Sequence, residues 1–381
     1  MADQQKLRVA IIGAGPAGLG AAIEFGKLPF VDFRIYDQAT VLREVGTGIS
    51  IQPNTWRMLD VMDASRNISP DEIFRPADHH SVQHRKYSES STCTRVSFGS
   101  TKGTFVKYRS IAPPAILSVV RAFAFPEHKI SYIGRTAYRG IVPTAEILSI
   151  PNFPDGVTFW HGPTDWVYTC NLNGGNYEIT VNAKESADVA RVSWGEKATL
   201  EEFQRPWKDF GPTVQAVINK VTDVQKFALF AGPRLSSVVA RGAVALVGDA
   251  SHPLSGAFGN GAGFALEDSY ALAQSVAWAH RRGHTLKDGL TLYDCVRSPH
   301  YEEMYKILDA FAASDAILNE KDFSFDEAVA HTIRGKWGAE HFWLYEYDIQ
   351  DVWKKAAEAE DGRRVALDTS HRESITVKFA S

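Results

Sequence analysis

The sequence is poor in cysteine and has no long apolar run. Its 381 residues include three cysteines, Cys93, Cys170 and Cys295. Their odd number and wide spacing fit a reducing compartment and indicate neither a disulfide framework nor a metal cluster. No apolar run reaches the roughly 18 residues that a transmembrane helix needs, so we expect none. The polar residues 1–8 lead directly into a strand pattern. We therefore expect no signal peptide and a cytoplasmic location.

The chain also lacks a strong excess of charge. Lys and Arg number 41 against 45 Asp and Glu, giving a net charge of −4. Without a long basic block, nucleic acid and anionic membranes are poor candidate partners. The hydrophobic share of 44% and the charged share of 23% are ordinary for a globular protein and exclude a disordered or collagen-like chain. The length suggests two or three domains.

A glycine-rich motif opens the chain. Residues 7–12 predict a buried strand, and the alanine-rich 19–27 predict a helix. Gly13, Gly15 and Gly18 lie between them. The first permits a tight turn, the second lets a pyrophosphate approach the backbone, and the third lets helix and strand pack closely. The amide groups at the helix start would face the phosphates.

The second strand of this unit, 32–36, ends at an acidic residue. Asp37 lies about 20 residues after Gly18, where a carboxylate can accept hydrogen bonds from ribose hydroxyls. An acid at this position disfavours a 2′-phosphate. Strand, helix and acid together predict a dinucleotide site rather than an accidental glycine cluster, but they do not separate NAD from FAD.

A second glycine-rich motif can distinguish FAD from NAD. Residues 242–247 predict a buried strand, and Asp249 follows at its carboxyl end, where ligands of open α/β sheets bind. A turn containing Gly261 then leads into a predicted helix over 262–280. A reduced flavin carries negative charge near N1 and O2, which a helix N-terminus stabilises. This arrangement favours a flavin.

The rest of the chain divides into a sheet-rich and a helical part. Aromatic-rich alternating segments between 131 and 181, with Asn-Gly-Gly-Asn at 173–176, predict an antiparallel sheet containing a hairpin. Short helices are expected near 199–203 and 212–220. The last 70 or so residues have a helical, amphipathic pattern. Their aromatic residues suggest a core or a homodimer face.

Together these motifs resemble the group A flavoprotein monooxygenases, or aromatic hydroxylases, and especially the salicylate-hydroxylase-like enzymes common in fungi. The resemblance spans most of the chain. It rests on residues 13–18, Asp37, 43–50, 138–140, 248–253, 259–268 and 347–348.

The resemblance implies an α/β fold in three parts. A Rossmann-like FAD-binding domain would be joined to a mostly antiparallel β-sheet substrate domain and to a helical C-terminal region. The FAD-binding domain would comprise 1–80, 104–130 and 235–310, the substrate domain 131–234, and the helical region 311–381.

The resemblance also implies which residues bind FAD. Asp249 would hold the ribityl or ribose part, and Pro253 would lie close to the oxygen chemistry. Gly48 and Ser50 would line the flavin through backbone atoms. The complete expected set is Gly13, Gly15, Gly18, Asp37, Arg43, Gly48, Ser50, Gly248, Asp249, Pro253, Gly261 and Ala262, with the last two facing the isoalloxazine edge.

The implied reaction is hydroxylation of a small electron-rich aromatic, a phenol or a phenolic acid. NAD(P)H would serve as co-substrate and reduce the flavin, which would react with O₂ at C4a and pass on oxygen from a hydroperoxide. The cofactor supplies this chemistry and the protein supplies orientation. Arg139 is the expected substrate-side residue, because a guanidinium can orient a phenolate or carboxylate. A surface ion pair is the alternative role.

The substrate sheet departs from the family pattern at one pair. The family's Tyr-Pro aligns with Cys170-Asn171, which places Cys170 in the expected substrate pocket. Tyr168 lies on the same strand face as Cys170, because side chains alternate along a strand. Its hydroxyl could replace the lost one as a catalytic group, or Tyr168 could serve only in sheet packing.

A second departure lies before residue 118. The family's Asp-Gly pair is absent ahead of Ser118-Val-Val-Arg121, where Pro114-Ala115 stand instead. The stretch between residue 49 and Tyr138 is also several tens of residues shorter than in the family, a gap that could remove one strand and one helix from the flavin domain.

These departures leave two other hypotheses open. The chain could be a non-catalytic, flavin-poor remnant that acts as a binding protein. It could also be an NAD-dependent dehydrogenase, although that leaves residues 248–268 unexplained. We expect no metal site, and we interpret His252 as a loop residue and Glu267 and Asp268 as acids favoured by the helix dipole.

Overall fold

The computed structural model describes residues 6–39, 48–75, 82–86, 104–107, 118–185, 194–254, 256, 258–337 and 343–379. Within these ranges the strands are β1 (Leu7–Ile12), β2 (Val31–Tyr36), β3 (Gly48–Ile51), β4 (Ile73–Phe74), β5 (Gln83–Lys86), β6 (Thr104–Lys107), β7 (Ser131–Pro143), β8 (Val157–His161), β9 (Trp166–Asn171), β10 (Asn176–Lys184), β11 (Trp194–Lys197), β12 (Val224–Ala231), β13 (Val239–Ala240) and β14 (Val244–Ala245).

Helices fill the space between the strands and dominate the C-terminal part, as predicted. They are α1 (Pro16–Gly26), α2 (Pro53–Val61), α3 (Val119–Ala124), α4 (Thr144–Leu148), α5 (Leu200–Gln204), α6 (Pro212–Ile218), α7 (Gly261–Arg282), α8 (Leu286–Glu320), α9 (Phe325–Trp337), α10 (Trp343–Glu346) and α11 (Ile349–Phe379). Across the described helices, none combines the length and the apolar character needed to cross a membrane.

The β1–α1–β2 unit forms as the first motif predicts. β1 and β2 pair in parallel, from Leu7 opposite Val31 to Ile12 opposite Tyr36. The expectation that β1 is fully buried is wrong, because only one of its faces is covered. Ile12 is 55% exposed and Tyr36 51% exposed. Within the described residues β1 pairs with β2 alone.

A seven-stranded sheet forms the second part of the molecule. Its strand order is β11-β12-β7-β10-β9-β8-β5, and every pair is antiparallel except β5 with β8. The predicted hairpin connects β9 to β10 through Asn173, Gly174 and Gly175, whose φ angles are all positive. One face of the sheet buries a hydrophobic core that includes Trp160 and Trp207 against α5 and α6.

The strand predicted over 242–247 is replaced by a short hairpin. Val239–Ala240 and Val244–Ala245 pair antiparallel to each other. The chain reverses between them at Arg241 and Gly242, which have φ angles of 54° and 67°. Since this tight turn lets the segment pair with its own neighbour, the predicted long buried strand is wrong. Asp249 nevertheless follows this segment directly, in a short 3₁₀ turn over Gly248–Ala250.

A small three-stranded sheet, ordered β3-β6-β4, bridges the two parts of the molecule. β3 leads directly into α2, whose side chains reach the start of α7. At the other end, Phe74 in β4 packs with Val157 and Cys170 of the large sheet. Asn173 Nδ2 also donates a hydrogen bond to the Ile73 carbonyl oxygen at 3.2 Å. The two parts are therefore connected through packed strands.

Candidate functional site

The first glycine-rich loop forms a tight turn with open space above it. Gly13 has a φ of 101°. An ideal Cβ at Gly18 would lie 1.9 Å from the Gly13 carbonyl oxygen, so only glycine fits there. By contrast, no atom lies within 4 Å of an ideal Cβ at Gly13 or Gly15. Helix α1 starts at Pro16 without a side-chain cap. Its first amide groups are therefore arranged to receive an anion.

Asp37 lies beside this loop, as predicted. Its Oδ2 accepts a hydrogen bond of 2.7 Å from the Ala14 amide, and its Oδ1 accepts one of 2.7 Å from the Ala39 amide. These bonds fix the carboxylate at the mouth of the turn. Because a carboxylate has about four acceptor positions, capacity for ribose hydroxyls remains.

The second glycine-rich motif meets the first one directly. Gly248 has a φ of 61°, and an ideal Cβ there would lie 2.9 Å from Ala17 Cβ. Ser269 in α7 donates a 2.7 Å hydrogen bond to the Ala17 carbonyl oxygen. An ideal Cβ at Gly20 would lie 2.9 Å from a Leu266 methyl carbon. The starts of α1 and α7 therefore pack together, and the two sequence motifs occupy one region.

Asp249 lies against the start of α7. Its Oδ1 is 3.9 Å from the position of an ideal Cβ at Gly261. Asn260 precedes α7 without a side-chain cap, so the first amides of this helix are also available. Burial raises the pKa of Asp249, while His252 and Arg121 act in the opposite direction. The carboxylate is thus held near two cationic or ionisable partners.

Arg121 supports the Asp249 turn, a role that the sequence analysis did not assign. Its Nη1 donates hydrogen bonds of 3.1 Å to the carbonyl oxygens of Asp249 and Ala250. Burial lowers the pKa of this guanidinium, and Tyr305 and Asp249 oppose that shift. Ser118 accepts a hydrogen bond from the Arg121 amide and caps α3. In the sequence, the Ser118-Val-Val-Arg121 stretch is the pattern from which this role of Arg121 could have been predicted.

Asp268 is the centre of a buried polar network beneath the same turn. Its Oδ2 accepts a 2.7 Å hydrogen bond from the Gly248 amide and lies 3.0 Å from His252 Nε2. Its Oδ1 accepts hydrogen bonds from Arg297 Nε at 2.7 Å and from the Tyr301 hydroxyl at 2.5 Å. Burial favours the neutral acid, but Arg297 and His252 outweigh it and lower the pKa of Asp268. Asp268 therefore does more than interact with the helix dipole, because it also connects the Gly248 turn to helix α8 through Arg297 and Tyr301.

Glu267 extends the network to helix α2. Asn54 Nδ2 donates a 2.6 Å hydrogen bond to Glu267 Oε1, and Asn260 Nδ2 donates a 3.0 Å bond to Asn54 Oδ1. Thr55 donates a 2.7 Å hydrogen bond to Asn260 Oδ1. Burial raises the pKa of Glu267 to about 7, although Arg297 and Asn54 oppose it. The start of α7 is therefore fixed by residues from the N-terminal part.

The large sheet presents a polar face that contains the expected substrate-side residues. Its strand register places Arg139 opposite Thr180, Thr180 opposite Tyr168, and Glu178 opposite Cys170. Since paired residues share a side, all five lie on one face, which we call the substrate face. Cys170 is fully buried beneath Phe74 and Val82 rather than open to solvent.

Tyr168 packs against the small buried cluster that contains Cys170. The Cys170 thiol donates a 3.2 Å hydrogen bond to the Asn171 carbonyl oxygen. Burial raises the pKa of the Tyr168 hydroxyl well above its usual value, and it also raises the pKa of the Cys170 thiol. Both groups are therefore neutral at physiological pH.

Arg139 is paired with a buried acid that the sequence analysis missed. Its Nε lies 3.5 Å from Glu178 Oε1 and donates a 3.2 Å hydrogen bond to Thr180 Oγ1. Its guanidinium also lies 5.1 Å from the centre of the Phe227 ring. Arg139 therefore does form an ion pair, as the alternative interpretation of this residue expected, but its partner is a buried acid. Only the sheet register could reveal the pairing.

The remaining expected site residues occupy varied positions. Gly48 and Ser50 belong to β3, Ala262 lies in the first turn of α7, and Pro253 is buried in the loop before it. Arg43 lies outside the described residues. Among the residues that are described, no group of three or more His, Cys, Asp or Glu side chains could hold a metal ion.

Known proteins whose sequences are similar to this chain are named as monooxygenases or hydroxylases. No family model matches the chain. A 6-hydroxynicotinate 3-monooxygenase of Pseudomonas fluorescens is 24% identical over 80% of this chain and 90% of its own length. A salicylate hydroxylase of Pseudomonas putida is 22% identical over 82% and 90%, respectively. The hispidin-3-hydroxylase of Neonothopanus nambi is 22% identical over 87% and 91%.

Solved structures share the same fold. A salicylate hydroxylase substrate complex superposes with a TM-score of 0.73 at 19% identity, covering 93% of this chain and 98% of that one. The chain is similar in sequence and in fold to FAD-dependent aromatic hydroxylases over most of its length. The structure of CtdE with FAD and a substrate superposes equally well, with a TM-score of 0.73 at 16% identity over 93% and 100% of the two chains.

The predicted resemblance to aromatic hydroxylases and the predicted fold class are therefore confirmed. The mostly antiparallel sheet and the helical C-terminal region both match the expectation. Its relationship to the fungal enzymes in particular stays a prediction, as do the domain boundaries and the roles of the individual site residues.

Proposed function

We propose that this protein is an FAD-dependent aromatic hydroxylase, a monooxygenase that uses NAD(P)H and O₂ to hydroxylate a phenol or a phenolic acid. One observation carries the proposal: the two glycine-rich turns meet at the α1–α7 contact, with both helix starts uncapped by side chains. A flavin dinucleotide has a pyrophosphate and a ring that becomes anionic when reduced, so it needs two such helix starts.

The residues of the two turns fit FAD. The open space above Gly13 and Gly15 accommodates a pyrophosphate against the start of α1, while Gly18 keeps that helix close to the turn. Asp37 would bind ribose hydroxyls. We assign the ring edge to Gly261 and Ala262.

The other members of the cofactor set complete this assignment. Asp249 would hold the ribityl or ribose part of FAD, in the turn that begins at Gly248. Gly48 and Ser50 would line the flavin through backbone atoms, and Pro253 would adjoin the site of oxygen chemistry. Arg43 is retained in the set on the strength of the family resemblance alone.

The chain's own residues would orient the substrate and exclude water. Bound FAD, reduced by NAD(P)H, supplies the oxygen-activating chemistry. The substrate face offers Arg139 and Tyr168 as polar groups, and we propose both as catalytic. Cys170 would belong to the substrate pocket and support Tyr168 by packing in the same cluster. The start of α7 would stabilise negative charge on the reduced ring.

The relatives support this choice of substrate. Their names specify 6-hydroxynicotinate, salicylate and hispidin as the compounds that are oxygenated. We extend this to a small aromatic substrate here. We also propose a cytoplasmic location, a homodimer, and a division of the chain into the FAD-binding, substrate and helical parts at the boundaries given above.

A visible absorption spectrum tests the cofactor assignment first. We expect purified protein to show flavin absorbance, either as isolated or after FAD is added. Protein that stays colourless in the presence of FAD would instead support the flavin-poor binding protein.

Turnover tests the reaction. We expect phenols or phenolic acids to accelerate NADH or NADPH oxidation by the FAD-loaded protein, with a hydroxylated product detected by mass spectrometry. Oxidation that no aromatic compound accelerates would contradict a monooxygenase.

A further inference from the structure

Arg139 and Glu178 form a compensated pair on the substrate face. Glu178 is only 3% exposed and lies 3.5 Å from Arg139 Nε. Thr180 connects them, because its hydroxyl donates a 2.7 Å hydrogen bond to Glu178 Oε1 and accepts the bond from Arg139 Nε. The positive charge expected to receive a substrate is therefore already matched by a buried carboxylate.

Two other cations on this face are matched as well. Arg135 lies four residues before Arg139 on β7, and its Nη1 is 3.5 Å from Asp165 Oδ1. Lys86 in β5 forms a 2.8 Å ion pair with Asp326 in α9. Since Tyr168 and Cys170 are both neutral, the described polar groups around Arg139 present little net charge to a ligand.

A ring carboxylate would be disfavoured beside such a pair. A charged ligand group that leaves water needs an opposite charge with good hydrogen bonds. Near Arg139 a carboxylate would also face the Glu178 carboxylate, and like charges repel. A neutral phenol avoids this cost, because its hydroxyl can donate to Glu178 or accept from Arg139.

We propose that the substrate is a neutral phenol without a ring carboxylate, and that Glu178 sets this preference by neutralising Arg139. Glu178 is thus a positioning residue that acts through the guanidinium. The inference rests on the proposed function, since it takes the substrate face as the ligand site. Of the two substrate classes proposed above, phenols and phenolic acids, it selects the phenols.

Binding of a matched pair of probes tests the proposal. Phenol and salicylate differ by one carboxylate, and their affinity for the FAD-loaded protein is measured by isothermal titration calorimetry at pH 7.5. We expect the wild type to bind phenol at least about tenfold more tightly, the size of one charge-assisted hydrogen bond. Equal affinity, a preference for salicylate, or no binding of phenol would overturn the proposal.

Glu178→Gln is the decisive variant. It keeps the shape and the Thr180 contact but leaves Arg139 uncompensated, so salicylate affinity should rise about tenfold relative to phenol. An unchanged ratio in folded protein would overturn the role of Glu178. The double variant E178Q/R139Q removes both charges, and its ratio should return towards that of the wild type. If neither variant folds, the wild-type comparison still decides the substrate class.

Asp165→Asn is the matched control. It makes the same charge change at an ion pair of the same length, about 13 Å further along β7. Its phenol-to-salicylate ratio should equal that of the wild type, and a shift like that of E178Q would overturn the local role of Glu178. Because binding needs no turnover, failure of NAD(P)H oxidation would count against the proposed reaction and not against this preference.

Discussion

The seven-stranded sheet and the two-stranded β1–β2 sheet differ in how completely they are covered. In the large sheet, Ile179 and Trp160 are almost fully buried in a continuous core. In the two-stranded sheet, Ile12 and Tyr36 are more than half exposed. Parallel strands are ordinarily covered on both faces. Contacts other than strand pairing must therefore stabilise the two-stranded β1–β2 sheet.

Helix packing and the buried network supply that rigidity. Helix α1 is held against α7 by the close approach at Gly20 and by the Ser269 hydrogen bond to Ala17. Asp268 then fixes the Gly248 turn through its amide. Within the described residues, the comparison shows that helix packing and buried polar contacts stabilise the region where the two glycine-rich turns meet, whereas strand pairing and a continuous core stabilise the large sheet.

Asp268→Asn should cause the largest loss of stability, because the Asp268 carboxylate holds the Gly248 turn and Arg297 in place. The change leaves Arg297 buried without its main partner, which costs about 3–5 kcal/mol. We expect a lower free energy of unfolding in urea and weaker FAD binding. The exposed Asp326→Asn is the control and should change stability by less than about 1 kcal/mol. Equal unfolding and FAD affinity for D268N and wild type would contradict the role of the network.

Two isoleucine truncations measure the difference between the sheets directly. Ile179→Ala in the large sheet should cost about 2–5 kcal/mol, because it leaves a cavity in a buried core. Ile12→Ala removes the same atoms from a side chain that is 55% exposed, and should cost less than about 1 kcal/mol. Urea denaturation of both variants gives the comparison. Similar losses would show that the small sheet is as well packed as the large one.

The contribution of Glu267 to the free energy of unfolding should fall as the pH rises from about 4.5 to about 7. Its pKa is about 7 in the folded protein against 4.5 ordinarily. Because the folded state binds this proton more tightly, the stabilisation is complete below about pH 4.5 and is lost as the pH rises to about 7, an effect on the order of 3 kcal/mol.

Glu267→Gln isolates this contribution. The neutral amide cannot ionise, so the dependence of the unfolding free energy on pH between 5 and 8 should become flatter than in the wild type. Identical pH profiles for the two proteins would rule out Glu267 as the source.

Gly15→Ala should have the smallest effect on folding and a selective effect on the cofactor. An ideal Cβ there meets no atom within 4 Å, so the fold should tolerate it. The methyl group would occupy the space assigned to the pyrophosphate, and FAD should bind at least about tenfold more weakly, roughly 1.4 kcal/mol. Gly18→Ala is the contrast and should also destabilise the fold. Unaltered FAD affinity in G15A would contradict the assigned phosphate position.

Local patterns were sufficient for much of the fold. The β1–α1–β2 unit, the β9–β10 hairpin and the C-terminal helices follow from periodicity and turn residues close together in sequence. The hairpin of β13 and β14 was missed because apolar residues do not reveal which strand they pair with. The exposure of Ile12 was missed for a related reason, since the covering elements lie elsewhere in the chain.

The site was less accessible to sequence reasoning than the fold. Both glycine motifs were found, because their spacing carries the turn geometry. The Asp268 network was not, because its contacts join distant residues, such as Asn54 and Glu267, which are 213 positions apart. Glu178 was missed because only strand register brings it to Arg139. Tertiary partners of charged residues leave no local signal.

The contact between Ser269 and Ala17, 252 positions apart, has a consequence for synthesis on the ribosome. Residues 131–231 contain six of the seven strands of the large sheet, and the seventh, β5, is made earlier, so this sheet can form while the chain is still growing. The first sixty residues must wait until α7 and α8 have emerged. We expect the earliest-made segment to be the last to acquire its native partners.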